Sequence, residues 1–386
     1  MAGQISALKK LVASSRGQLL VLNFDGNEFI ITGTYEQENP DFEPFSILFK
    51  EPNLLYVNNA VGDRISVFKL GPDFSGANNL PRLAADGALS KLFFDKPTMV
   101  FRIKTFWYSW FLTFNADKTR IVETGNGEWR IWDSSAANGS LRMLQLDTSI
   151  LHRKPLQALL DPTGRFIVVS FHDDDVLAII DTKDDHCRLI DSIHIGPRMP
   201  DVYTETENYI AFLTSEGTNY LVVARKEKDI VLYRVEYVYG ELTYWGDPGD
   251  TIRIAEVQNL SAYDGPPEGI ALMIEAAKNQ RDIYVGVCDT GEETDYILHF
   301  AFRTDGGTGR LHYVGKTPSG GRQPVTFQLS KDTEQSFLFI SNSKGESGLV
   351  ALRRDPETGI LDQTPAAMMS HAELSAPDGL YNIGEI

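Results

Sequence analysis

The chain has 386 residues, 42% of them hydrophobic and 11% aromatic, enough for a sizeable core. Its formal net charge is −17, a balance that argues against nucleic acid or an anionic membrane as partner, since both select basic surfaces. Cys187 and Cys288 are the only cysteines, too few for a disulfide framework or a zinc cluster.

The N-terminal stretch MAGQISALKKLVASS lacks an apolar run followed by a small-residue cleavage site. No segment approaches the ~20 consecutive apolar residues of a membrane helix. The expectation is therefore a soluble, cytoplasmic protein.

Strand-turn-strand blocks recur along the chain. Residues 19–35 place Asp25-Gly26, a hairpin signal, between β-rich arms. Residues 46–70 and 107–146 repeat the plan. Residues 156–182 carry its clearest copy: a strand at 157–160, the turn Asp161-Pro162-Thr163-Gly164, an apolar β-branched strand at 166–171, the acidic turn Asp173-Asp174-Asp175, and a strand at 176–181. Further units follow at 209–245, 270–315 and 324–361. First strands recur at intervals of about 45–65 residues, a spacing that suits four-stranded propeller blades.

No helical pattern of comparable strength interrupts them. The N-terminus supplies only outer strands for its blade, whereas residues 380–386 form a lone strand at the other end. Pairing the two closes a seventh blade and removes an open edge. The expected fold is all-β: residues 1–386 as a single seven-bladed β-propeller domain.

Three segments, LDPTGRF at 160–166, SGGRQPVTFQL at 319–329 and RDPETGIL at 354–361, resemble the lactonase-type seven-bladed propellers. That family includes bacterial phosphogluconolactonase and the fungal carboxymuconate cyclases. The resemblance spans nearly the whole chain but rests on structural turns, so it speaks to fold more than to reaction. It implies a site in the central pocket at one end of the channel, built from His, Arg and Glu near strand ends. This sequence departs from that set nearly everywhere. Leu156 stands for a histidine and Phe171 for an acidic residue. Asn208-Tyr209 stand for Arg-His, Arg225 for glutamate, Val287-Cys288 for Asn-Arg, and Val325-Thr326 for Arg-His. Leu156, Phe171, Val287 and Val325 imply a drier, more apolar pocket, suited to a hydrophobic ring system rather than a polyol.

Arg225, at a strand end, and Arg322, among the glycines of SGGRQP, are the candidates for holding a carbonyl, phenolate or carboxylate. His152 and His172 lie nearest the expected pocket rim and are the candidates for general acid–base work. Tyr209, Trp107 and Tyr108 either pack between blades or stack on a planar ligand at the pocket mouth. Asn58 either donates amide hydrogen bonds there or turns the chain. No HxH or HxxxH spacing, calcium loop, P-loop or dinucleotide fingerprint stands out, so neither metal nor cofactor is expected.

These readings point to a cofactor-independent cyclase acting on a hydrophobic small molecule. Such an enzyme works by positioning and hydrogen-bond polarisation, and a pericyclic ring closure would need no nucleophile. Two alternatives stand beside it: a non-catalytic binding or scaffold propeller, and a hydrolytic lactonase using a substituted acid or base such as Glu123 or Glu268.

Overall fold

The structure, a computed structural model, describes residues 8–36, 44–51, 54–59, 64–70, 94–99, 109–125, 128–137, 139–147, 155–172, 175–183, 188–195, 207–225, 229–239, 250–260, 270–288 and 293–386. Among these residues the chain forms seven antiparallel four-stranded sheets. We number the sheets as blades and give each from its inner strand outward.

Blade one takes its inner strand, Leu380–Glu385, from the C-terminus and its other strands, Lys9–Ser15, Gln18–Phe24 and Phe29–Glu36, from the N-terminus. Blade two is Pro44–Lys50, Leu54–Asn59, Arg64–Leu70 and Phe94–Met99. Blade three is Ser109–Phe114, Arg120–Gly125, Glu128–Asp133 and Arg142–Asp147. Blade four is Pro155–Leu160, Phe166–Phe171, Val176–Asp181 and Arg188–His194. Blade five is Asn208–Ser215, Thr218–Arg225, Ile230–Val238 and Thr251–Leu260. Blade six is Ile270–Ala276, Asp282–Cys288, Tyr296–Asp305 and Thr308–Pro318. Blade seven is Arg322–Leu329, Phe337–Lys344, Ser347–Arg353 and Ala367–Ser370. Each inner strand packs against the inner strand of the next blade, and blade seven returns to blade one. The ring is closed, as the pairing of the two chain ends predicts.

The sequence builds such blades because its middle strands are apolar on both faces. In blade four, Phe166 and Val168 pack toward blade five, whereas Ile167, Val169 and Phe171 pack toward blade three. Leu177 and Ile179 against Ala178 and Ile180 divide the same way. This period of two distributes the hydrophobic core between blades. The described residues form seven apolar clusters, one at each boundary between neighbouring blades. The turn at Asp161 shows how local chemistry sets the strands: its carboxylate accepts from the N–H groups of Thr163, Arg165 and Phe166. Gly164 takes the φ of +75° that closes the turn.

Inner strands present free N–H groups to the axis, and these need acceptors. Side chains of the preceding blade supply them. Ser46 Oγ accepts from Leu112 N at 3.2 Å, Gln157 Oε1 from Ile210 N at 2.7 Å, and Gln328 Oε1 from Glu385 N at 2.7 Å. Glu275 does the same for Leu329 N, at 3.1 and 3.0 Å to its two oxygens. Burial pushes the Glu275 carboxyl up to about 8, with the hydrogen bond from Leu329 opposing that rise.

Candidate functional site

The first residues of the inner strands shape the end of the channel. In six blades the inner strand carries one extra residue relative to its neighbour, a β-bulge. The extra residue is Tyr381 in blade one, Phe45 in blade two, Trp110 in blade three, Leu156 in blade four, Leu272 in blade six and Val325 in blade seven. A bulge bends its strand and re-aims a side chain. Five of those six residues line one central cavity, and Phe111, next to Trp110, lines it for blade three. Blade five pairs one-for-one from Asn208 to Ser215 and contributes Tyr209.

The cavity has a volume of ≈ 170 Å³, about the size of the engineered apolar cavity that admits benzene. On the side of blades one and two, Phe45 and Tyr381 stack with ring centroids 4.8 Å apart. Asn382 Nδ2 donates to Phe45 O at 2.8 Å and ties these bulges together. By blade order, His172 and Tyr209 of blades four and five lie across the ring from that wall. Glu207, just before the inner strand of blade five, stands between them. Tyr209 Oη donates to Glu207 Oε2 at 3.2 Å, and His172 Nδ1 lies 3.5 Å from Glu207 Oε1. Burial, reinforced by the Glu207 carboxylate, holds the Tyr209 phenol well above its ordinary range, so its hydroxyl stays protonated. Among the described residues the chamber is largely apolar, with His172 and Tyr209 on one wall and the Phe45–Tyr381 stack on the other.

The family model "Lactonase, 7-bladed beta-propeller" matches residues 227–374. The chain resembles the lactonase-type seven-bladed propellers. A solved protein from Lactobacillus plantarum superposes with a TM-score of 0.68 at 12% identity, over 98% of this chain and 99% of its own. The Pseudomonas aeruginosa periplasmic gluconolactonase PpgL superposes with a TM-score of 0.68 at 13% identity, over 98% and 99%. A putative 6-phosphogluconolactonase from Bacteroides fragilis gives 0.67 at 13% identity, over 98% of both chains. At such identities the likeness is one of fold. No curated protein matches the sequence.

Against this lactonase-type frame the sequence-derived candidates separate into two groups. Leu156, Val325, Tyr209 and His172 come together at the cavity. Phe171 and Val287 do not: they sit on second strands, one layer back, in the cores between blades three and four and between blades five and six. Asn58 is likewise buried on a second strand, paired with Ser46 behind the Phe45 bulge. Asn208 and Arg225 are paired with each other one residue away from Tyr209, so their side chains take the opposite face. Asn208 Nδ2 donates to Asp175 Oδ1 at 3.5 Å. Arg225 Nη2 donates to Tyr233 Oη at 3.1 Å, and that hydroxyl donates to Ile195 O. Arg225 is therefore buried between blades four and five and is not among the cavity-lining residues.

Arg322 opens the inner strand of blade seven, and its side chain is exposed rather than part of the cavity wall. The backbone explains this placement. Gln323 takes a φ of +53°, with its N–H bound to Asp295 Oδ2 at 2.7 Å, and the chain turns before Val325 reaches the axis. His152, Trp107 and Tyr108 lie outside the described residues, as does Glu268. Glu123 is fixed inside blade three, accepting from Trp132 Nε1 at 2.8 Å with Arg130 Nη1 at 3.4 Å.

Sequence reasoning missed Glu207, Phe45, Phe111, Leu272, Tyr381 and their neighbours. A signal for some of them was present. Pro44-Phe45-Ser46, Pro155-Leu156-Gln157 and Pro324-Val325-Thr326 are three copies of one pattern at strand starts. Proline has no ladder donor and is tolerated at a strand's first residue or at a bulge. The apolar residue after it is the one turned to the axis.

Proposed function

We propose that the protein is a cofactor-independent cyclase that closes a ring in a largely apolar secondary metabolite bound in the central cavity. The observation that carries this reading is the cavity lining. Bulge residues of five blades aim largely apolar side chains at the axis, with His172 and Tyr209 on the wall across from the Phe45–Tyr381 stack. An apolar chamber folds a flexible chain by excluding water, and an aromatic wall such as Phe45–Tyr381 orders a planar segment. Holding reacting ends in a near-attack geometry supplies up to ~7–11 kcal/mol of the barrier. Polar side chains of the lining such as Thr326 and Asn382 then hydrogen-bond one carbonyl or enone of the substrate.

A hydrolytic lactonase is the second reading, favoured by the His172–Glu207 pair, which could activate a water. Gluconolactones, named for some of the structural relatives, are polyols, and walls of Phe, Leu, Met and Val offer such a substrate few hydrogen bonds.

The test is incubation with a panel of linear polyketide- and terpenoid-type enones, followed by chromatography with mass detection. A product of unchanged mass and new retention time, absent with Val325→Arg, supports ring closure in the cavity. A product that has gained one water selects the hydrolase. No product, together with no ligand-induced rise in melting temperature, leaves the scaffold reading in place.

A further inference from the structure

We propose that water molecules are built into three neighbouring seams of the ring, between blades two and three, three and four, and four and five, where they tie the cavity wall to the strands behind it. The fold calls for them whichever reaction the cavity serves.

One register position of the second strands carries the observation. Opposite the residue that follows a bulge, or at the matching place, stand Ser14, Asn58, Thr124, Ser170, Gly286 and Ser341. The middles of these strands are apolar, yet at this position all six carry a small or polar residue. Each faces the next blade, because the residue two places before it belongs to the apolar cluster at that boundary: Val12, Tyr56, Val122, Val168, Tyr284 and Phe339.

What such a residue meets is the start of the next inner strand. Ser14 Oγ donates to Pro44 O at 2.7 Å, the carbonyl just before the Phe45 bulge. A side chain added at Gly286 would come 3.3 Å from Pro324 O, the corresponding carbonyl of blade seven. A bulge leaves backbone groups outside the ladder, and buried ones need partners. In blade two, blade one supplies them directly: Ser14 takes Pro44 O, and Asn382 Nδ2 takes Phe45 O at 2.8 Å.

The next three seams differ. Asn58, Thr124 and Ser170 are fully buried, and they face the inner strands that begin at Ser109, Pro155 and Asn208. Among the described residues, neither amide atom of Asn58 has a hydrogen-bond partner, nor has Thr124 Oγ1 or Ser170 Oγ. A polar group shut away without a partner is costly, whereas a buried water takes about two to four polar neighbours of this kind. The cavity wall is thereby of two sorts. Phe45 and Thr326 are fixed by direct bonds from Asn382 and with Ser341, whereas Phe111, Leu156 and Tyr209, on blades three to five, are backed by water that can shift as a ligand enters.

A high-resolution crystal structure of the whole protein is the direct test. An ordered water within hydrogen-bonding distance of each of Asn58, Thr124 and Ser170, and of the neighbouring inner strand, is the expected result. Thermal melts give a second reading. Thr124→Val and Ser170→Ala each delete one hydroxyl with little change of shape. In a hydrated seam they strand the water and lower the melting temperature; in a dry seam they remove an unpartnered group and raise it. Ser14→Ala, which loses the direct bond to Pro44 O, sets the scale of a lost partner. Seams without water in the crystal overturn the proposal. Where no crystal diffracts far enough, melting temperatures that rise or stay unchanged in both variants do the same.

Discussion

Phe45 and Tyr381 come from opposite ends of the chain and lie ring on ring, with 8° between their planes. Each is the extra residue of a bulge, one in blade two and one in the C-terminal strand of blade one. Closing the ring and building the aromatic wall of the cavity are thus one event. Removing residues 380–386 would take away the inner strand of blade one, with Leu380 and Ile383 from the core between blades seven and one. Such a truncation is expected to expose a strand edge and aggregate, which size-exclusion chromatography would show; a monodisperse, cooperatively melting truncation would contradict it.

Phe45→Ala removes one half of the stack. Offset aromatic pairs contribute about 0.5–1.5 kcal/mol beyond their buried area. A small fall in melting temperature is expected, with about tenfold weaker binding of a planar aromatic ligand such as indole. Titration calorimetry measures the second effect. Unchanged affinity would place the ligand elsewhere.

Val325→Arg should spare folding and abolish uptake of apolar ligands. Val325 is only partly buried and belongs to none of the seven inter-blade clusters, so a longer side chain there meets the cavity rather than the core. A cooperative melt close to wild type together with lost binding is the expected pair of results. Large destabilisation would mean that the bulge residues hold the ring together.

Glu275→Gln tests the buried carboxyl beside the axis. Its folded pKa of about 8 lies above the ordinary 4.5. Between those two values the unfolded chain has released a proton that the folded chain keeps, so stability falls as pH rises through that window. Glutamine can accept from Leu329 N without ionising. The variant should flatten this part of the stability–pH curve and be the more stable protein above pH 8. Denaturant melts at pH 5 and pH 9 would show it; a parallel fall in both proteins would assign the slope to other groups.

Asp282 tests a buried polar network at the far end of blade six. Its carboxylate meets Arg354 Nη2 at 2.5 Å, His299 Nε2 at 3.2 Å and Arg281 Nε at 3.1 Å. Burial pushes the carboxyl up, but hydrogen bonds from His299, Arg281 and Asn279 and the Arg281 charge outweigh it, and the net shift is well below the ordinary range. The stability it contributes is therefore present at neutral pH and is lost as pH falls below the ordinary carboxylate value. Asp282→Asn leaves Arg354 buried without its counter-charge and should lose about 3–5 kcal/mol at pH 7. The gap to wild type should narrow in acid. Equal stability at pH 7 would show that the pair is replaceable.

The blades were legible in the sequence because their signals are local. Asp161-Pro162-Thr163-Gly164 states its turn, and the continuous apolar run Phe166–Phe171 states a strand buried on both faces. The closure at residues 380–386 was legible too, from a strand left without a partner. The cavity was legible only in part. Leu156 and Val325 were reached through matched family positions, whereas Phe45 and Tyr381 depend on bulges that shift the register by one residue. Phe171 and Val287 show the same limit from the other side, since they are apolar near strand ends and yet stand one strand behind the wall. Glu207 carries no motif at all. It meets His172 only when blades four and five are side by side, across a chain separation that periodicity does not see.

The bulges have a consequence for how such a molecule changes over time. Apart from Leu156, the residues they turn inward lie outside the seven inter-blade clusters, so the lining can be rewritten while the frame stays as it is. Selection acting on a new substrate meets a handful of nearly independent positions, each on a different blade and each adjustable in a single step. A polyol pocket and a hydrocarbon pocket then lie within a few substitutions of one another. That is a route by which one propeller serves unrelated metabolites while its sequence drifts almost beyond recognition.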